Sequence, residues 1–139
     1  MYKRKSMEDF LSRFQGNKDD IPPEVISVNL EERFFNPKNI EWTLWDDHWE
    51  AIFYSESTEH LACYTREGRL INYKINVAPS DLSGNLSRNL DPGQEIMNVV
   101  KVISGEGVVS FEIITRDIGL KRYLVNMDRA GRIASRHNL

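Results

Sequence analysis

Cys63 is the one thiol in the chain, and His60 stands three residues before it. A thiolate works as a nucleophile only beside a base, and that base needs a group to orient it. On an extended strand, residues three apart point to opposite faces, so His60 cannot serve Cys63. The base would have to arrive from another element, carrying His48 or His137. No catalytic residue is therefore expected, and the chain does not read as an enzyme. The densest set of ligand-type side chains is Asp46, Asp47, His48, Glu50, Glu59 and His60. Asp46 and Asp47 could begin a hard-cation shell if loop carbonyls completed it. Paired aspartates between two strands are also ordinary hairpin-turn chemistry. His48 and His60 lack a second arm of donors at zinc-site spacing. No metal and no cofactor are expected. Ser104-Gly105-Glu106-Gly107 has the outline of a phosphate loop but lacks the third glycine, the following helix and the lysine, and it reads as a hairpin.

The aromatic residues carry more information. Trp42, Trp45, Trp49, Phe53, Tyr54, Tyr64 and Tyr73 gather in one half of the chain. Strand alternation sets Trp49, Ala51 and Phe53 on one face and Glu50, Ile52 and Tyr54 on the other. The more apolar set should face a helix, making Trp42, Trp49, Phe53 and Tyr64 core. Trp45, Glu50, Ile52, Tyr54 and Tyr73 are then expected on an open sheet face, as a partner-binding platform of aromatics and acids. The alternative is that an N-terminal helix or a second protomer, as in a homodimer, covers that face. A slip of one residue in register would exchange the two sets.

The elements that must position these residues follow from a repeated spacing. Pro23, Ile26, Leu30 and Phe34 recur 56 residues later as Pro79, Leu82, Leu86 and Leu90. Apolar residues four apart make a narrow helical stripe. Proline suits the start of a helix, and Pro37 and Pro92 stop the two helices. Strand-like segments follow each: residues 40–45, 49–55, 59–64 and 70–77, then 96–103, 108–115, 121–127 and 133–135. Turns separate them, including Asp46-Asp47, Glu56-Ser57, Glu67-Gly68 and Ala130-Gly131. Gly68 and Gly131 occupy equivalent turns and are expected to supply a positive φ. At the N-terminus Met7, Phe10, Leu11 and Phe14 fall on one helical face, with Ser6 as cap and Gly16-Asn17 as stop. Glu8, Asp9 and Arg13 interrupt any signal-peptide core after the basic start, so no export signal is expected.

The resulting expectation is an α+β domain of two tandem helix-plus-antiparallel-meander repeats. They form one extended sheet with the helices on one face, preceded by an N-terminal amphipathic helix. The parts are 1–20 for that helix and its linker, 21–77 for the first repeat and 78–139 for the second. Each repeat is small for a core of its own, which argues for a shared one.

The first repeat resembles the PepSY-like proteins, related in fold to the beta-lactamase inhibitor protein. Pro23, Ile26, Leu30, Phe34, Lys38, Ile40 and Trp42 align to the family's opening pattern without a gap. Trp49-Glu50-Ala51-Ile52-Phe53 is similar to its Tyr-Glu-Ala-Glu-Phe strand, and Tyr64 to Leu70 to its Asp-Gly hairpin. The resemblance runs through 21–77 and more weakly through 78–135. Phe35-Asn36-Pro37 departs from the family's Pro-Gly-Ala, and Asp81 and Gly84 are poor helix residues in the second copy. The resemblance implies a non-enzymatic binding or inhibitory module of the bacterial envelope, with no fixed target.

Composition agrees with a folded binding domain. The chain has 139 residues, 40% hydrophobic and 28% charged, which excludes bulk disorder. Its net charge of −3 makes a general nucleic-acid binder a poor fit. No stretch is long and apolar enough for a transmembrane segment. The charge is uneven: residues 21–77 hold five basic and ten acidic groups, and residues 101–139 hold seven basic and four acidic. The expected function is docking of a protein or peptide, in an inhibitor-like or chaperone-like role. The alternative is a small-molecule or metal-binding accessory protein using residues 46–60.

Overall fold

A computed structural model describes residues 20–139. The helix expected over 1–20 lies outside the described residues. The protein is α+β, with eight strands in one antiparallel sheet, ordered β1 to β8 as in the chain. Two compact units divide between Tyr73 and Lys74.

In the first unit, helix α1 (Glu24–Arg33) precedes β1 (Lys38–Leu44), β2 (His48–Ser55), β3 (Thr58–Thr65) and the start of β4 (Leu70–Val77). Pro23 caps α1, and its carbonyl accepts from the N–H of Ile26 at 2.9 Å. Glu24 in the first turn and Arg33 in the last suit the helix dipole. Pro37 bars continuation, Asn36 takes a left-handed φ of 43° before β1, and Asn39, with φ of 54°, sits at the irregularity in β1 between Lys38 and Glu41.

The stripe of four-spaced residues does what its spacing predicts. Ile26, Leu30 and Phe34 are buried against Trp49, Ala51, Phe53, Ala62, Tyr64 and Leu70. Full burial of such side chains is worth about 1.5–3 kcal/mol each. Trp42 meets Trp49 edge-on at 6.3 Å, and Phe34 meets Phe53 at 4.9 Å. The Tyr64 hydroxyl donates to Asn29 Oδ1 at 2.8 Å, tying the sheet to α1. Burial pushes the Tyr64 phenol up to about 12.

In the second unit a single 3₁₀ turn, Pro79–Asp81, precedes helix α2 (Gly84–Ser87). The expected helix from Pro79 to Leu90 is thus broken into two single turns, with Leu82 and Ser83 extended between them. Gly84 and Asp81 explain the loss, because glycine and aspartate both disfavour helix interiors. Leu82, Leu86 and Leu90 are nevertheless buried together with Val99, Ile113, Val125 and Met127. Strands β5 (Glu95–Ser104), β6 (Val109–Arg116), β7 (Arg122–Asp128) and β8 (Ile133–Asn138) complete this unit. Lys74 and Glu112 form an ion pair of 2.9 Å with both side chains nearly buried. Arg136 bonds to Asp91 and lies 4.3 Å over the Tyr123 ring.

The two glycine turns are built alike. Gly68 and Gly131 have φ of 101° and 90°. A Cβ at Gly68 would come within 3.2 Å of Val25 on α1, and one at Gly131 within 3.3 Å of the Asn85 carbonyl on α2. Each hairpin therefore tucks under the helix of its own unit, and glycine answers both the dihedral and the space.

Candidate functional site

Pairing between β2 and β3 fixes the face of the first unit that lies away from α1. The connecting turn has two residues, Glu56 and Ser57, both with positive φ, at 53° and 65°. That is the geometry of a tight hairpin turn whose twist matches its strands. It sets Glu50 opposite Cys63, Ile52 opposite Leu61 and Tyr54 opposite Glu59. On β1, Thr43 pairs with Glu50 and Glu41 with Ile52. Because strands alternate, this face carries Glu41, Thr43, His48, Glu50, Ile52, Tyr54, Glu59, Leu61 and Cys63.

The sequence-predicted residues fall unequally on it. Tyr54 is 44% exposed, with its hydroxyl 3.5 Å from Glu59 Oε2. Ile52 is half-buried in mid-sheet. Trp45 is half-buried in the β1–β2 turn, where its ring stacks on His48 at 6.4 Å. Glu50 shares the face but is only 7% exposed, so it is not the freely presented acid that alternation alone suggests. Tyr73 belongs to the opposite side. It packs edge-on against Phe34 at 5.0 Å and joins the α1-facing core. In β4 both Leu70 and Tyr73 reach that core, three residues apart, so simple alternation from Leu70 misplaces Tyr73.

His60 and Cys63 do lie on opposite faces. His60 is buried in the α1-facing core, stacked on Phe53 at 5.2 Å, with Nδ1 2.8 Å from the Thr58 carbonyl. His48 comes to Cys63 from β2 instead. One donor atom from each of His48, Glu50 and Cys63 lies within 4.8 Å of the others. Nδ1 of His48 is 2.6 Å from Asp47 Oδ1. The hydrogen bond and charge of His48 hold the Asp47 carboxyl below the usual carboxylate range. The sequence names His48 and His137 as the histidines that could reach Cys63 from another element, without choosing between them. The signal that finds the real set is the two-residue turn, which dictates the cross-strand pairs.

The corresponding face of the second unit is different in kind. Val100, Glu112, Ile114, Leu124 and Asn126 lie at its centre, where Glu112 is paired with Lys74, and on the same face Glu95 and Asp128 are paired with Arg116 and Arg132.

No protein-family model and no curated protein matches the chain. Solved structures share its fold. A DUF2874 family protein from Bacteroides uniformis ATCC 8492 superposes with a TM-score of 0.77 at 11% identity, covering 85% of this chain and 90% of that one. A Bacteroides eggerthii DSM 20697 protein described as "putative periplasmic" gives 0.76 at 12% identity, over 86% and 90%. A BLIP-like protein from Bacteroides fragilis NCTC 9343 gives 0.75 at 11% identity, over 86% and 88%. Among the described residues, no helix is long and apolar enough to cross a membrane.

Proposed function

We propose that this chain, which carries a BLIP-like fold, is a non-catalytic binding module that docks a protein or peptide partner on the first unit's sheet face. The observation that carries the reading is the make-up of that face: exposed Tyr54 and half-buried Ile52, Leu61 and Trp45, interleaved with the carboxylates Glu41, Glu50 and Glu59. Apolar and aromatic groups supply most of the energy of such contacts, and charge sets orientation and encounter rate. An acidic face in a segment with five basic and ten acidic residues selects a basic partner segment carrying apolar side chains. Tyr73 is left out because it serves the core.

The same proposal takes in the finer family reading. Two PepSY-like units, 21–77 and 78–139, derive from one helix-and-meander ancestor. The equivalent four-spaced stripes and the two glycine hairpins support this. Residence in the bacterial envelope is part of the reading, supported by the periplasmic description of one structural neighbour.

The test isolates the partner retained by the immobilised full chain and measures its affinity for wild type, Trp45→Ala and Tyr54→Ala. Binding that weakens at least about 10-fold in Tyr54→Ala, and also falls as salt is raised, supports the platform. Equal affinity of all three proteins overturns it. Concentration-dependent dimerisation abolished by Tyr54→Ala would make a second copy the occupant, contradicting a foreign basic partner.

A further inference from the structure

We infer that His48, Glu50 and Cys63 form a binding site for a borderline-soft divalent cation, with Zn2+ the best match. The donor set is one imidazole nitrogen, one carboxylate oxygen and one sulfur, all within 4.8 Å of one another. Tetrahedral zinc takes these three atom types at about 2.0–2.3 Å, which places neighbouring donors about 3.3–3.7 Å apart. Closing from 4.8 Å asks only for small side-chain rotations.

The backbone already supplies the arrangement. His48 and Glu50 are two apart on β2 and so share a face, and Cys63 is the direct cross-strand partner of Glu50. A site held by the middle of a sheet is more precise than one hung on a loop. Glu50 is 7% exposed and Cys63 half-buried, so sheet neighbours fix the donors. Asp47 adds the partner that metal-bound histidines commonly have. Its carboxylate takes Nδ1 at 2.6 Å, which leaves Nε2 as the metal-binding nitrogen. Stacking on Trp45 further limits rotation of the ring.

Selectivity follows from donor chemistry. A thiolate and an imidazole with a single carboxylate suit Zn2+ and disfavour Ca2+ or Mg2+, which want oxygen shells. On binding, Cys63 releases its thiol proton to solvent, and His48 binds as neutral imidazole. Three protein donors leave a fourth position for water. The site shares Glu50 and Trp45 with the proposed docking face, but metal binding requires no partner, so the two proposals can fail separately.

The experiment uses the full chain, freed of metal with a chelator. It is titrated with Zn2+ by calorimetry and with Co2+ by absorption spectroscopy. One equivalent of Zn2+ is expected, and Co2+ should raise an intense near-ultraviolet band from thiolate-to-metal charge transfer. Cys63→Ser should abolish that band and weaken Zn2+ binding at least 10-fold. Asp47→Asn, at an exposed position, should weaken binding by about 10–100-fold while keeping the band. Absence of the band in the wild-type chain overturns the site without reliance on any variant. Equal Zn2+ affinity of Cys63→Ser and wild type overturns it as well.

Discussion

The two units bury the same stripe by different means. In the first, Ile26 and Leu30 ride on a ten-residue helix, and Phe34 at its C-cap joins them over an aromatic core. In the second, Leu82, Leu86 and Leu90 are buried over an aliphatic core although α2 has only four residues. Spacing decides which side chains go inside, whereas local propensity decides whether the backbone between them is helical. The outer faces diverge further. The first presents aromatics and carboxylates, and the second presents aliphatic groups at its centre, with Glu112, Glu95 and Asp128 matched by Lys74, Arg116 and Arg132. The two units thus share an interior spacing while their outer faces differ.

That contrast can be broken most forcefully in the cores. Phe53 is fully buried in the aromatic cluster, so Phe53→Ala should cost about 3–5 kcal/mol in urea denaturation. Leu86→Ala should cost less, about 2 kcal/mol, because Leu86 sits on a single turn with a rim position at 8% exposure. Equal losses would mean that α2 holds its core as firmly as α1.

Alkaline titration sharpens the comparison next. The Tyr64 phenol is raised to about 12 by burial, against 10.0 for the free group. The folded chain keeps that proton where the unfolded chain has lost it. Stability from this group is therefore intact below pH 10 and is lost as pH rises from 10 towards 12, by at most about 2–3 kcal/mol. Tyr64→Phe should flatten that decline when stability is followed by denaturant titration at several pH values. An unchanged decline would remove Tyr64 as its source.

The two glycine turns offer a matched pair. Gly68→Ala and Gly131→Ala should each destabilise by about 1–2 kcal/mol, since alanine is disfavoured at positive φ. Gly131→Ala should be the worse, because its new Cβ meets the Asn85 backbone as well as the Asn89 amide, whereas at Gly68 it meets only side chains. Thermal melts of the two variants decide the order, and a larger loss at Gly68 would reverse it. Smallest is a gain. Glu56 and Ser57 hold positive φ without glycine, so Asn-Gly at 56–57 should stabilise by about 1 kcal/mol, with Tm as the readout. A fall in Tm would show that Glu56 or Ser57 contributes more than turn geometry.

Much of this arrangement was legible in residue order. The four-spaced stripes named the buried helix residues, and Gly68 and Gly131 named turns of positive φ. Alternation placed Trp49 and Phe53 inside and Ile52 and Tyr54 on the other face. What failed did so for identifiable reasons. Gly84 and Asp81 outweighed the stripe and shortened the second helix. Tyr73 followed the core instead of the alternation begun at Leu70. Glu50 is a strand-centre carboxylate flanked by Thr43 and Cys63, and alternation fixes its face without fixing its depth. The meeting of His48, Glu50 and Cys63 is a cross-strand fact that only the pairing register reveals.

The claim that recognition belongs to the first unit has a matched control, because Tyr54 there and Ile133 in the second unit are both 44% exposed. The direct measurement is the Kd of the full chain for its purified partner, determined for wild type, Tyr54→Ala and Ile133→Ala. The account predicts a loss of at least about 10-fold for Tyr54→Ala and less than about 2-fold for Ile133→Ala. A loss confined to Ile133→Ala, or shared equally by both variants, would contradict it.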